Sequence, residues 1–235
     1  MLRLRKSQQQ ALTHVEHTIQ RECGDEKDEK DEKDEKIVNA LKDVPIHINF
    51  PSHIFPQLVD DGYYRNQFET KTSRGLYHPP TRIGWEKNLF GKSYDNVTGF
   101  VRPKYGNLPI YNNNKHNINK SIAKNYGTSY LILKNKVKKR STFTIGDSGN
   151  GGRPLTFKHG HLIKQKIPNK DINDFIKNKR MNTEYKYLFE AQIHGSIKLD
   201  RDIEAIYIDP TYFSSFTKHI KKLRKKGVKV RSYSR

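Results

Sequence analysis

The sequence predicts an α+β fold rich in antiparallel strands, and three observations carry that expectation. Segments 99–105, 129–133, 141–145, 185–193 and 203–208 have strand length and are rich in β-branched and aromatic residues. Helical spacing of apolar residues appears mainly outside them. The regular strand–helix–strand alternation of a parallel sheet is missing. A chain of 235 residues, 11% of them aromatic, suits one domain with a modest core and is too aromatic for a disordered polyelectrolyte.

Taken in order, residues 7–23 place Leu12, Val15 and Ile19 at helical spacing and read as an amphipathic helix. Residues 25–36 are four copies of Asp-Glu-Lys without an apolar residue, so they cannot bury an apolar face. They read as a solvated linker or a charged extension of the helix, with a length-variable tether the expected role. The chain divides accordingly into an N-terminal helical arm at 1–24, a charged linker at 25–36 and a folded domain at 37–235. Within that domain, 37–41 finishes a helix and 46–50 alternates as a short strand closed by Pro51 and Pro56. Residues 63–114 carry many Gly, Pro, Asn and Tyr and read as packed loops around short strands. Helices are expected at 171–178 and 212–226, the second ended by Gly227 with basic residues in its last turns.

Forty-five Lys and Arg against 25 Asp and Glu give a formal charge of +20. Without the triplet repeat the balance is 41 against 17, so the folded part is more basic than the average. Such a surface attracts phosphates, nucleic acid, anionic membranes or acidic proteins. A nucleic-acid-binding module or nuclease is therefore the alternative against which any enzymatic reading is weighed. No run approaches the length of a bilayer span, and the N-terminus lacks the apolar stretch of a secretory signal, so a soluble protein without a membrane span is expected. The single cysteine, Cys23, excludes an internal disulfide and a thiolate-clustered metal site. Of ten histidines only His159 and His161 form a close pair, without a helical His-Glu-x-x-His pattern, so no metal is expected.

Gly146-Asp147-Ser148-Gly149 matches the short string around a serine-protease nucleophile. Nothing else of that machinery accompanies it, and a glycine-rich turn after a strand explains it better. Three other strings place polar residues within apolar strands: Val101-Arg102-Pro103-Lys104-Tyr105-Gly106, Arg140-Ser141-Thr142-Phe143-Thr144 and Phe189-Glu190-Ala191-Gln192-Ile193-His194-Gly195. Each polar group there must be hydrogen-bonded or it destabilises the fold. Taken singly, they read as a buried Arg102–Glu190 ion pair with Ser141 and Thr144 serving the sheet.

In order, however, an Arg, a Ser-Thr-x-Thr and a Glu on three strands resemble the Arg-Ser-Glu arrangement of mono-ADP-ribosyltransferases. A wider set of strings looks like the successive motifs of the bacterial domain of unknown function 3626 from about 47 to 210. These are Gln67-Phe68-Glu69-Thr70, Trp85-Glu86 with Leu89-Phe90-Gly91, Arg102 to Gly106, Thr142 to Thr144 with Gly146-Asp147-Ser148, and Glu190 to Gly195. The resemblance implies a family that includes secreted effector-type ADP-ribosyltransferases. The resemblance implies split antiparallel sheets with flanking helices, NAD as co-substrate and a host protein target with arginine as first-guess acceptor. It also implies a bacterial effector or toxin, made in the cytoplasm and secreted without a signal peptide.

The resemblance further implies roles. Glu190 is catalytic, opposing the positive ribosyl character that develops as the nicotinamide bond breaks. Arg102 anchors NAD through its planar guanidinium. Ser141 orients the Glu190 carboxylate, and Thr142 and Thr144 shape the nicotinamide pocket. Tyr105 either stacks on nicotinamide or belongs to the core. Gln67, Glu69 and Gln192 are candidates for the acceptor side, unless Glu69 simply pairs with a nearby cation. Arginine-directed enzymes usually place Glu or Gln two residues before the catalytic Glu; here that position is Leu188, and Gln192 follows instead.

Overall fold

The computed structural model describes residues 3–23, 31–72, 77–110, 126–181 and 188–233. Its framework is a sheet of eight strands: β1 (His47–Phe50), β3 (Lys104–Asn107), β4 (Ser129–Leu133), β5 (Ser141–Ile145), β6 (Pro154–Thr156), β7 (Phe189–Ile193), β9 (Ile203–Ile208) and β10 (Lys229–Ser232). The spatial order is β10-β9-β4-β1-β3-β7-β5-β6. Every neighbouring pair is antiparallel except β9 and β10. Strands β2 (Tyr63–Tyr64) and β8 (Ile197–Lys198) form a separate two-stranded sheet. The chain is thus mixed α and β, with one large sheet and one small.

Alternation along the strands sorts the two faces of the large sheet. Ile48, Phe50, Leu131, Leu133, Phe143, Leu155, Phe189, Ala191, Ile193, Ile206 and Val230 are buried and belong to one contiguous core. Their strand neighbours His47, Asn49, Tyr105, Asn107, Thr142, Thr144, Glu190 and Gln192 take the other face. That face is polar over β1, β3, β7 and β5 and turns to Tyr130, Ile132, Ala205 and Tyr207 over β4 and β9.

The helices are α1 (Lys6–Cys23), α2 (Glu32–Asp43), α3 (Phe55–Asp61), α4 (Gln67–Thr70), α5 (Pro79–Phe90), α6 (Asn169–Asn178), α7 (Leu199–Asp202), α8 (Pro210–Phe213) and α9 (Thr217–Arg224). Helix α1 is not a loose arm. Its stripe of Gln8, Ala11, Val15 and Ile19 is buried, and Gln8 Nε2 donates to the Val101 carbonyl at 2.8 Å. Part of the charged repeat is also built in. Asp31 caps α2 by accepting from the Asp34 amide, and Asp34 is buried against Lys164 at 2.6 Å. For 31–36 the tether expectation is therefore replaced by a helix start, because acidic residues favour a helix N-terminus and a cation buries one of them. Residues 25–30 lie outside the described residues.

Two further expectations are corrected in the middle of the chain. Helix α5 occupies 79–90 where loops were expected, because Pro79 and Pro80 preset the first turn and His78 caps it. The strand expected at 99–105 begins only at Lys104. Residues 99–101 form a 3-10 turn instead, and Pro103 has no amide to lend to a ladder. Asn66 Nδ2 holds that turn through the carbonyls of Gly99 and Arg102, and the fully buried Lys104 Nζ adds bonds to Phe100 and Arg102 carbonyls.

Candidate functional site

Strand β7 lies between β3 and β5, so the three strings singled out in the sequence sit on adjacent strands. Register places Glu190 opposite Asn107 on one side and Thr144 on the other, and Gln192 opposite Tyr105 and Thr142. Residues directly opposite share a face. Glu190, Gln192, Tyr105, Thr142 and Thr144 therefore converge on the polar side.

Polar groups there are linked. Thr142 Oγ1 donates to Gln192 Oε1 at 2.9 Å, and Gln192 Nε2 donates to Glu190 Oε1 at 3.1 Å. Thr144 Oγ1 accepts from Gln192 Nε2 at 3.3 Å and donates to the Gly146 carbonyl at 2.9 Å. The turn after β5 closes over the carboxylate, with both the hydroxyl and the main chain of Ser148 hydrogen-bonded to Glu190. Gly146 reaches φ +100, a conformation that suits glycine, and Asp147 fixes the turn by accepting from the Gly149 amide at 2.8 Å. Burial pushes the Glu190 carboxyl up to about 7, against the pull of its Ser148 and Gln192 donors and with the help of the Asp147 charge.

Beside it stands a second buried carboxylate. Glu86, 1% exposed on α5, bonds Arg102 Nη1 at 2.5 Å and accepts from Tyr105 Oη at 3.3 Å. Burial raises the Glu86 carboxyl to about 7 although Arg102 pulls it down. The Arg102 guanidinium also lies 4.5 Å over the Phe68 ring. Tyr105 joins the two carboxylates: burial first, then the charges of Glu86 and Glu190, push its hydroxyl well above its ordinary range. Helix α5 reaches the turn as well, since Trp85 packs on Gly149 so closely that a Cβ there would meet the indole at 3.0 Å. Arg82 stacks over the same indole at 5.4 Å.

The arrangement brings Glu190, Gln192, Thr142, Thr144 and Tyr105 together, with Arg102 joined to them through Glu86. It does not bring Ser141. That hydroxyl faces the core side with Phe143 and donates to the Val137 carbonyl at 2.9 Å, so it does not orient Glu190. The reason is strand alternation: the residue orienting the carboxylate must share its parity, as Thr144 does and Ser141 does not. The anticipated Arg102–Glu190 pair is likewise replaced by Arg102–Glu86. Gln67 and Glu69 lie in α4, where Glu69 completes a capping box with Asn66 and sits 3.8 Å from Lys104 Nζ. They connect to the site indirectly, through their neighbours Asn66 and Phe68, which contact Arg102, and through Lys104, which bonds the Arg102 carbonyl.

Glu86, Ser148 and Asp147 carry no expected role from sequence, although Trp85-Glu86 and Gly146-Asp147-Ser148 stand out as strings. Chain separation hid them, because α5 and the turn meet β7 only in the folded state. Among the described residues no three His, Cys, Asp or Glu converge as a metal site, and no helix is long and apolar enough to cross a membrane. His159 bonds Thr156 at 2.9 Å and approaches Glu16 at 3.4 Å.

No curated protein matches the chain. A family model described as a protein of unknown function, DUF3626, matches residues 49–156. The matched stretch contains Glu86, Arg102, Tyr105, Thr142, Thr144 and Ser148, whereas β7 with Glu190 lies beyond it. Over 49–156 the chain is similar to a domain of unknown function.

Proposed function

We propose that the chain is an NAD-dependent mono-ADP-ribosyltransferase acting on a protein side chain, with arginine the first acceptor to test and a bacterial effector or toxin the setting. The observation that supports this reading is a recessed carboxylate, Glu190, held by three donors at the centre of a polar sheet face. A carboxylate kept there against its own desolvation is a group retained for chemistry rather than for stability.

Breaking the nicotinamide–ribose bond develops positive charge on the sugar, and an ionised Glu190 opposes it without reorganising. Gln192 and Ser148 fix the carboxylate before substrate arrives. NAD fits the glycosyl side of the site better than the phosphate side. Glu190 and Asn107, both partly exposed, offer partners for sugar hydroxyls, whereas Arg102 is 5% exposed and committed to Glu86. Arg102 therefore supports the wall of the site, and the more exposed cation on that wall is Arg82.

The test is incubation with labelled NAD and a host-cell lysate, comparing wild type with Glu190→Gln. Labelling that falls about 100-fold or more in the variant supports the reading. Equal labelling by both proteins, or none by either, refutes it. Salt-sensitive binding of RNA or DNA, indifferent to NAD, would favour the basic nucleic-acid-binding module or nuclease instead.

A further inference from the structure

We infer that Tyr94, His194, Thr142 and Gln192 form a one-way donor chain whose function is to present an amide N–H to Glu190. This rests on the reading of Glu190 as the working carboxylate, but the direction of the chain follows from acceptor chemistry alone. The nitrogen of the Gln192 side chain lies 3.1 Å from Glu190 Oε1 and 3.3 Å from the Glu190 carbonyl. A carbonyl oxygen can only accept, so the Gln192 atom facing it must be the NH₂. The other end of the amide, Oε1, is then an acceptor, and Thr142 Oγ1 at 2.9 Å must donate to it.

With its proton used, Thr142 Oγ1 offers a lone pair to His194 Nε2 at 3.5 Å, the longest link. That nitrogen must carry the ring proton, so Nδ1 is the acceptor and Tyr94 Oη donates to it at 2.5 Å. A ring protonated on both nitrogens would break the last step. His194 has no exposure, and Arg140 and Lys104 face it with positive charge. Burial and those two cations hold its ring well below the usual histidine range, at about 3. Phe90 packs edge-on to the imidazole and the Tyr94 ring lies parallel to it, in line with their hydrogen bond, which fixes the ring plane.

All four are positioning residues, since only Glu190 would meet substrate. Among the described residues, the titratable or charged groups around Glu190 include Asp147 in the turn, Tyr105 on β3, Tyr126 and Arg82, and the hydrogen bonds of the Gln192 side chain go to Thr142, Thr144 and Glu190. Without Thr142's hydroxyl the Gln192 oxygen loses its donor, so the amide keeps its N–H toward the acceptors at Glu190 but is no longer anchored, and its bond to the carboxylate weakens.

The experiment follows the Glu190 carboxyl carbon by NMR titration of the full-length protein, with no NAD present. Thr142→Val is expected to move its midpoint upward by a measurable fraction of one pH unit, the weakening of one charge-assisted hydrogen bond. Thr142→Ser restores the hydroxyl and is expected to restore the midpoint, while Ser141→Ala, on the opposite face, leaves it unchanged. A midpoint indifferent to Thr142→Val in a protein that melts cooperatively overturns the chain. Should that variant not fold, nitrogen-15 shifts of wild-type His194 decide: a proton on Nε2 supports the chain and a proton on Nδ1 overturns it. A chain that passes these tests in a protein that never transfers ADP-ribose would stand while the enzymatic reading fell.

Discussion

Replacing Glu190 with Gln tests whether the site holds a carboxylate against its own charge. The carboxyl is raised from 4.5 to about 7, mainly by burial. The native state therefore binds a proton that the unfolded state has already lost between those two values. Stability tied to that proton is fully present below 4.5 and is lost as pH rises to about 7, amounting to about 3 kcal/mol above it. An amide stands in for the neutral acid at every pH. Glu190→Gln should match wild type in stability near pH 4 and exceed it by about 3 kcal/mol near pH 8, roughly 5–10 °C in Tm for a domain of this size. Thermal melts of both proteins across that range isolate the effect, because every other titrating group is common to both. A stability difference that stays flat with pH would show that Glu190 carries no desolvation burden. The argument that it is kept for chemistry would then fail.

Arg102→Ala leaves Glu86 buried without its cation and should lower stability at pH 8 by about 3–5 kcal/mol in urea denaturation, whereas an unchanged midpoint would mean the pair is not buried in solution. Val15→Asp puts a carboxylate at a position with no exposure between α1 and the body of the protein. It should cost about 3 kcal/mol or more, and a negligible loss in the same denaturation would make α1 a separable arm after all. On the proposed reading the transfer depends on ionised Glu190, so the initial labelling rate should rise as pH passes about 7. A rate constant across that interval would detach the reaction from this carboxylate.

Strands with strong local character were legible without the fold. The segments 129–133, 141–145 and 203–208 pair over those same residues, since β-branched and aromatic side chains suit a pleated, half-buried surface. Segment 185–193 pairs from Phe189, and 182–187 lie outside the described residues. The C-terminal helix is broken into α8 and α9 by a 3-10 turn at 214–216, and Gly227 adopts φ +79 just past its end. The parallel pair β9 and β10, joined by those helices, leaves little local signal because β10 is four residues long and two of them are charged. The site was half legible. Period-2 alternation separates Thr142 and Thr144 from Ser141, but which of these hydroxyls share a face with Glu190 depends on the register of β5 against β7.

By itself the sequence determined the basic character of the chain, the positions of its main strands and the presence of Glu190 and Gln192 two residues apart on one of them. Those properties are local: they depend on composition, on side-chain shape and on the two-residue period of a strand. Tertiary structure alone decided that Arg102 answers to Glu86, that Ser148 closes over Glu190 and that Tyr94 and His194 stand behind Gln192. Such partnerships join groups up to 100 positions apart. Desolvation, which sets the character of both carboxylates, depends on everything packed around them, and no stretch of chain contains that information.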